Sequence, residues 1–342
     1  MPGAAYPANT NPQVNGGFRT IEQASDEMAL PDFFVIGAPK AGTTALHVAL
    51  ALHPQLYLSA VKEPKFFLCD GRPPRWGGGP GDAHSYGEWI WRREDYEALF
   101  AAAPAGTLKG ESTPFYLADF AAQRRLREQV PHAKLIAVLR DPVDRAYSNW
   151  AHLWADGLEP IGDFMAACAA EGRRIAAGWA PFWHYLALGR YGEQLRHLFT
   201  LFPREQVHVL RYQLLVDRPR EALNGICGFL GVQPDLVTTA PSENVSAYVR
   251  PTPRTQALRA LIRAGAALGR FFPPQLWRRA STPLLAALRR EAGPRPPLTM
   301  RQRRQLLRHF IDDIRLLEQE TGRSFADWIA RGGALQDEGA GS

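Results

Sequence analysis

The chain has 342 residues, 46% hydrophobic and 22% charged, which is the composition of a globular protein with one large core, or one core and a helical appendage. Forty Lys and Arg against 34 Asp and Glu leave a net charge of +6, which favours an anionic ligand or surface without choosing between nucleotide, nucleic acid and membrane. No apolar run reaches the roughly 18 residues of a membrane span, residues 1–30 carry no basic start with an apolar stretch behind it, and Cys69, Cys168 and Cys227 are too scattered for a disulfide framework, so a cytoplasmic protein is expected.

Residues 1–30, rich in Pro, Gly, Asn and Ala, predict a flexible arm. Regular structure is predicted to begin with a strand at 31–37 (PDFFVIG), followed by a glycine-containing loop and a helix ending near Pro54. Further strands are predicted at 107–112, 134–140 and 206–211. Each is followed by a helical pattern: Asp119 to Val130, Pro142 to Ala155, and 219–231. Near-continuous apolar strands alternating with helices predict an α/β fold, a central parallel sheet covered by helices on both faces. Residues 72–82 read as a long loop and 291–297 as a linker or turn. The arginine-studded stretch 258–290 has the pattern of amphipathic helices, which either pack on the core or rest on a membrane. Residues 299–321 read as one long helix.

Lysine is scarce. Only five of the 40 basic residues are lysine, and three of them, Lys40, Lys62 and Lys65, fall between positions 40 and 65. Such spacing suits a compact ammonium charge better than a guanidinium fork. The loop GAPKAGTT (37–44) stands where a strand hands over to a helix, so backbone N–H groups and the positive helix end face an anion. Gly37 and Gly42 have the spacing of the nucleotide-kinase loop, but Thr43 occupies the lysine position and the lysine has moved to Lys40.

That departure, with the string Pro39 to Thr44, resembles the 5′-phosphosulfate loop of the PAPS-dependent sulfotransferases. PAPS (3′-phosphoadenosine 5′-phosphosulfate) has no polyphosphate chain, so a shorter lysine reach suits it. The resemblance implies a nucleotide-kinase-like sulfotransferase fold, with Lys40, Ala41, Gly42, Thr43 and Thr44 on the donor and 3′,5′-ADP as the product. It covers most of residues 31–330, which are expected to form one domain with a helical portion at 255–330, ahead of a disordered tail at 331–342.

LRDPVDRAYSNW (139–150) is similar to the family's 3′-phosphate motif, which assigns Arg140 and Ser148 to that phosphate. Arg140 ends a predicted strand, where open parallel sheets bind ligands; a surface ion pair with Asp141 or Asp144 is the plainer reading. Lys62-Glu63-Pro64 followed by Phe66-Phe67 resembles a block in the heparan sulfate and bacterial carbohydrate branch, where the glutamate is the proposed base. The resemblance makes Glu63 the expected general base, with Lys40 and Lys62 neutralising charge on the leaving oxygen. A solvated Lys62–Glu63 pair is the alternative. Lys65 is expected to line the acceptor pocket. In GESTPFYL (110–117), Ser112 stands where heparan-type members carry lysine, and Glu111 is read as a structural, helix-entry charge, with a second acid as the alternative. The family also implies Arg250, in a loop closing at 243–254, as a contact of the 3′-phosphate.

The acceptor implied is a hydroxyl or amine of a carbohydrate, glycolipid or secondary metabolite, with no metal required. None of the nine histidines is assigned to catalysis. Two other classes are compatible with the composition: an ATP-dependent kinase, opposed by the displaced lysine, and a non-catalytic nucleic-acid binder, opposed by the dispersal of the arginines.

Overall fold

Residues 30–74, 77–241, 248–269 and 274–333 are described by the computed structural model of the chain. The expected arm at 1–30 and tail at 331–342 lie almost wholly outside these residues, as does the first half of the expected closing loop.

Five strands, β1 Phe33–Gly37, β2 Leu56–Leu58, β3 Leu108–Ser112, β4 Lys134–Leu139 and β5 Val207–Arg211, form one parallel sheet in the order β2-β3-β1-β4-β5. Strand β1 is central and every residue of it is buried, which explains its unbroken apolar run. Phe33 stands opposite Gly110 on one side and Lys134 on the other. Helix α1 (Thr43–Ala51) follows β1, α2 (Phe120–Gln129) follows β3, and α3 (Pro142–Ala155) follows β4. Helix α4 (Tyr191–Leu201) precedes β5 and α5 (Pro219–Leu230) follows it.

The start of α3 agrees with the sequence reading because its first turn is written locally. Asp141 Oδ1 accepts from the N–H groups of Val143 and Asp144, and Pro142 occupies the first helical position. From β1 the chain runs through α1 to the β2–β3 side of the sheet, whereas from β4 it runs through α3 toward β5. The carboxyl ends of β1 and β4 therefore flank a topological switch point, where open α/β sheets bind ligands.

Two sequence expectations are corrected. Residues 299–321 form not one helix but two, α8 (Met300–Leu307) and α9 (Ile311–Thr321). At the break Phe310 is fully buried. Beyond it Asp313 turns inward and accepts from the N–H groups of Gly192 and Glu193, so α9 packs on α4 while α8 packs on α3. The segment 291–297 is also more than a linker: β7 (Ala292–Gly293) pairs antiparallel with β6 (Tyr248–Val249), and the Pro296 carbonyl accepts from the Tyr147 hydroxyl.

Between these strands run α6 (Pro253–Gly269) and α7 (Pro274–Arg290), which pack on each other. Ile262 and Leu288 join Val249 in a small apolar cluster, and Arg259, fully buried, lies 3.4 Å from the ring centre of Trp154. Among the described residues no helix is long and apolar enough to cross a membrane. The three cysteines are free and buried.

Candidate active site

The loop between β1 and α1 is shaped by two glycines. A Cβ at Gly37 would lie 2.6 Å from Leu117 Cβ, so only glycine admits this approach. Gly42 begins α1 with φ 85°, and no side chain caps the helix there. The Ala38 N–H bonds the Val138 carbonyl at 2.7 Å, which ties the loop to β4. Lys40 itself has φ 67°, a left-handed conformation that costs a non-glycine residue about 1–3 kcal/mol and persists where its surroundings impose it. Gly37→Ala is expected to lower stability by about 1–3 kcal/mol in urea denaturation through this overlap with Leu117, and an unchanged midpoint would contradict it.

Arg140 follows β4 and reaches back to the same loop. Its guanidinium donates to the Lys40 carbonyl at 3.0 Å and stacks over Tyr212 at 4.7 Å, while its own carbonyl accepts from the Tyr191 hydroxyl. The neighbouring acids are otherwise engaged: Arg303 pairs with both Asp141 and Asp144. Arg140 is therefore part of the switch-point loop structure and not simply a partner for the next acid along. Ser148 lies two turns into α3, 7% exposed.

The segment Lys62 to Phe67 forms a loop whose end is anchored by aromatic packing. Phe66 stacks on Tyr96 with centroids 4.2 Å apart, and Phe67 meets Phe34, Tyr96 and Tyr116 edge-on. With that end fixed, the charged residues ahead of it gather. Lys62 bonds the Glu63 carboxylate directly, and Lys65 Nζ lies 3.8 Å from Glu63 Oε2. Lys65 also sits 5.4 Å from the ring centre of Trp89 and 5.9 Å from that of Phe115. Both Glu63 and Lys65 have left-handed backbone, φ 61° and 63°.

Electrostatics join the two loops. Burial pushes the Glu63 carboxyl up, but the ammonium groups of Lys62, Lys65 and Lys40 outweigh it and hold Glu63 below the ordinary carboxylate range. Burial lowers the Lys65 ammonium, against the opposing pull of Glu63 and Glu88. The solvated Lys62–Glu63 pair is thus replaced by a cluster of one carboxylate and three lysines, with the Glu63 side chain only 26% exposed.

Two histidines to which the sequence assigns no role also feel the charges of this cluster. His47, on α1, has its Nδ1 2.9 Å from Ser112 Oγ, and burial followed by the Lys62 charge lowers it to about 4. It fills space beside Ser112, the position where the sequence lacks the heparan-type lysine. His152, on α3, is lowered by burial and by the charge of Lys40, opposed first by Asp156, whose carboxylate lies 3.6 Å from its Nε2, and more weakly by Glu63. One signal for His152 was available: it stands four residues after Ser148, on the same helix face. Nothing local marks His47, whose partner is 65 residues away.

Lys40, Arg140, Glu63, Lys62 and Lys65 therefore lie around the ends of β3, β1 and β4. Arg250 is not part of this group. It follows β6, whose Val249 carbonyl accepts from Trp154 Nε1 at 2.8 Å, near the end of α3 opposite Arg140.

A model of the sulfotransferase family matches residues 75–235, a span that contains Arg140 and Ser148. Among curated proteins the chain is 29% identical over 215 residues to the human bifunctional heparan sulfate N-deacetylase/N-sulfotransferase 2, a match covering 60% of this chain and 22% of that protein. It is 25% identical over 235 residues to the heparan sulfate glucosamine 3-O-sulfotransferase 6 of Mus musculus, covering 68% of this chain and 61% of that one. The chain thus spans only part of these relatives. Among solved structures, a sulfotransferase from Alicyclobacillus acidocaldarius is 28% identical, with a TM-score of 0.67 over 88% of this chain and 99% of that one.

Proposed function

We propose that this chain, which carries a sulfotransferase-family domain, moves a sulfuryl group from PAPS to a hydroxyl or amine of a carbohydrate, glycolipid or secondary metabolite by in-line transfer. The observation that carries this reading is the electrostatic union of two sequence-distant loops: Glu63 is held ionised in part by Lys40, the lysine of the phosphate-binding turn.

The residues present fit such a donor. An anion at the start of α1 meets a helix end that no side chain caps, with Lys40 in the turn before it. Ala41, Gly42, Thr43 and Thr44 supply the backbone and hydroxyl groups around the 5′-phosphate. Arg140 and Ser148 hold the 3′-phosphate, while Arg250, which follows β6 near the other end of α3, is given no part in that contact. In the transfer step Glu63 takes the proton of the acceptor as the acceptor's oxygen or nitrogen bonds sulfur. Lys40 and Lys62 offset the negative charge that builds on the bridging oxygen as its bond to sulfur breaks. The proton ends on Glu63 and the electron pair on the nucleotide product, 3′,5′-ADP.

Carbohydrate leads among the acceptors because the relatives are heparan sulfate enzymes. Beside Glu63, Trp89 and Phe115 flank Lys65, and this gives a sugar ring an apolar wall with a cation in it. The test is incubation with sulfur-labelled PAPS and parallel panels of glucosamine oligosaccharides, glycolipids and small phenols. Label transfer to a sugar acceptor supports the reading, and no transfer to any panel with PAPS intact counts against it.

A further inference from the structure

Two residues with side chains and left-handed backbone, Glu63 and Lys65, flank Pro64, a combination that the protein must impose from outside the loop. What imposes it is the end of β3 and the turn after it. The Ser112 carbonyl accepts from the Glu63 N–H at 3.0 Å. Thr113 Oγ1 accepts from the Lys65 N–H at 3.3 Å, and the Tyr116 hydroxyl accepts from the Phe67 N–H at 3.2 Å.

The Thr113 hydroxyl needs a place for its own proton so that a lone pair faces the loop. Thr113 Oγ1 donates to Glu111 Oε2 at 3.1 Å, while Glu111 Oε1 has no hydrogen-bond partner among the described residues. Glu111 is fully buried. Burial pushes its carboxyl up to about 8, although the hydroxyls of Tyr116, Thr113 and Tyr96 favour the ionised form. A carboxyl kept in the core at this cost performs a task that an aliphatic residue of similar size does not.

We propose that Glu111 is the positioning residue of the Glu63 loop: through the hydroxyl of Thr113 it fixes the Lys65 N–H group, and so the place of Glu63 among the lysines. The inference rests on the reading of Glu63 as the base. Glu111 touches neither donor nor acceptor. Its effect is on the proton-transfer geometry, where displacements of about 1 Å cost up to ~100-fold in rate.

The test uses Thr113→Val, Glu111→Leu and Glu111→Gln in the full chain, each alone and combined with Glu63→Gln, with folding checked by thermal melting. Thr113→Val keeps the shape of the side chain and removes the hydroxyl; it is expected to lower kcat about tenfold with the KM for PAPS changed less than about twofold. Glu111→Leu is expected to do the same or worse, whereas Glu111→Gln, which still accepts from Thr113, is expected to recover kcat to within about threefold of wild type. Combined with Glu63→Gln, none of the three is expected to add a further loss.

A second readout is the acid limb of kcat/KM. In Thr113→Val it is expected to move up toward the ordinary carboxylate range, because Glu63 slips from Lys62, Lys65 and Lys40 while His47 on α1 and His152 on α3 still feel its charge. Equal losses in both backgrounds, or an unmoved acid limb with wild-type kcat in Thr113→Val and Glu111→Leu, overturn the inference alone. Full activity in Glu63→Gln by itself removes the base, and this inference with it.

Discussion

Glu63→Gln is expected to retain affinity for 3′,5′-ADP while kcat for sulfuryl transfer falls by about 10²–10⁴-fold. The substitution keeps the size of the side chain and its hydrogen-bonding oxygen, so Lys62 and Lys65 lose a charge partner but not their places. What disappears is the acceptor of the substrate proton. The pH dependence follows from the sign of the shift. Glu63 lies below its ordinary range because Lys62, Lys65 and Lys40 outweigh burial, so its carboxylate persists as pH falls past the value for a free glutamate. The stabilisation it contributes is fully present above the unfolded-state pKa and is lost only as pH falls through the lower folded value. In wild type the acid limb of kcat/KM is accordingly expected below about pH 4.3, the ordinary glutamate value. A limb near pH 6 to 7 would point to a different base, and neither His47 nor His152 supplies one readily, since both are shifted downward.

Lys40→Ala is expected to cost about 10²–10³-fold in kcat, the range for removing one preorganised group that stabilises developing charge. It removes the one lysine placed in the turn between β1 and α1, and with it part of the field that holds Glu63 ionised. Its acid limb is therefore expected to shift upward as well, a coupling that a lysine acting only on the donor would not produce. Lys40→Arg is not a rescue in this account: a planar fork in a left-handed turn does not reproduce a compact charge. Steady-state kinetics with saturating PAPS separate this from a donor-binding defect, because an effect on binding alone vanishes at saturation.

The sheet and the helices beside it were legible because their signals are local. The apolar runs at 33–37 and 134–139 are strands buried on both faces, and Asp141-Pro142 writes the start of α3 into two residues. Strand β2 was missed because it is three residues long and sits at the sheet edge. The division of 299–321 was hidden because its apolar spacing continues across the break. It is tertiary contact, with Phe310 buried and Asp313 turned onto α4, that divides the helix.

At the site, the phosphate-binding turn and the Lys-Glu-Pro block could be read as strings, but their meeting could not. Glu63 and Lys65 adopt a backbone that sequence associates with glycine, and the groups that impose it, Ser112, Thr113 and Tyr116, belong to another strand and the turn behind it. His47 is invisible for the same reason. Arg250, assigned from the family's closing loop, follows a strand held near the end of α3 opposite Arg140.

The most direct measurement of the central claim is calorimetric titration of the wild-type chain with 3′,5′-ADP without magnesium, alongside Lys40→Ala and Arg140→Ala. Saturable binding by wild type is expected, weakened about tenfold or more in Arg140→Ala, where a charge-assisted contact to the 3′-phosphate is lost. Wild-type protein that ignores 3′,5′-ADP and binds magnesium–ATP would contradict it.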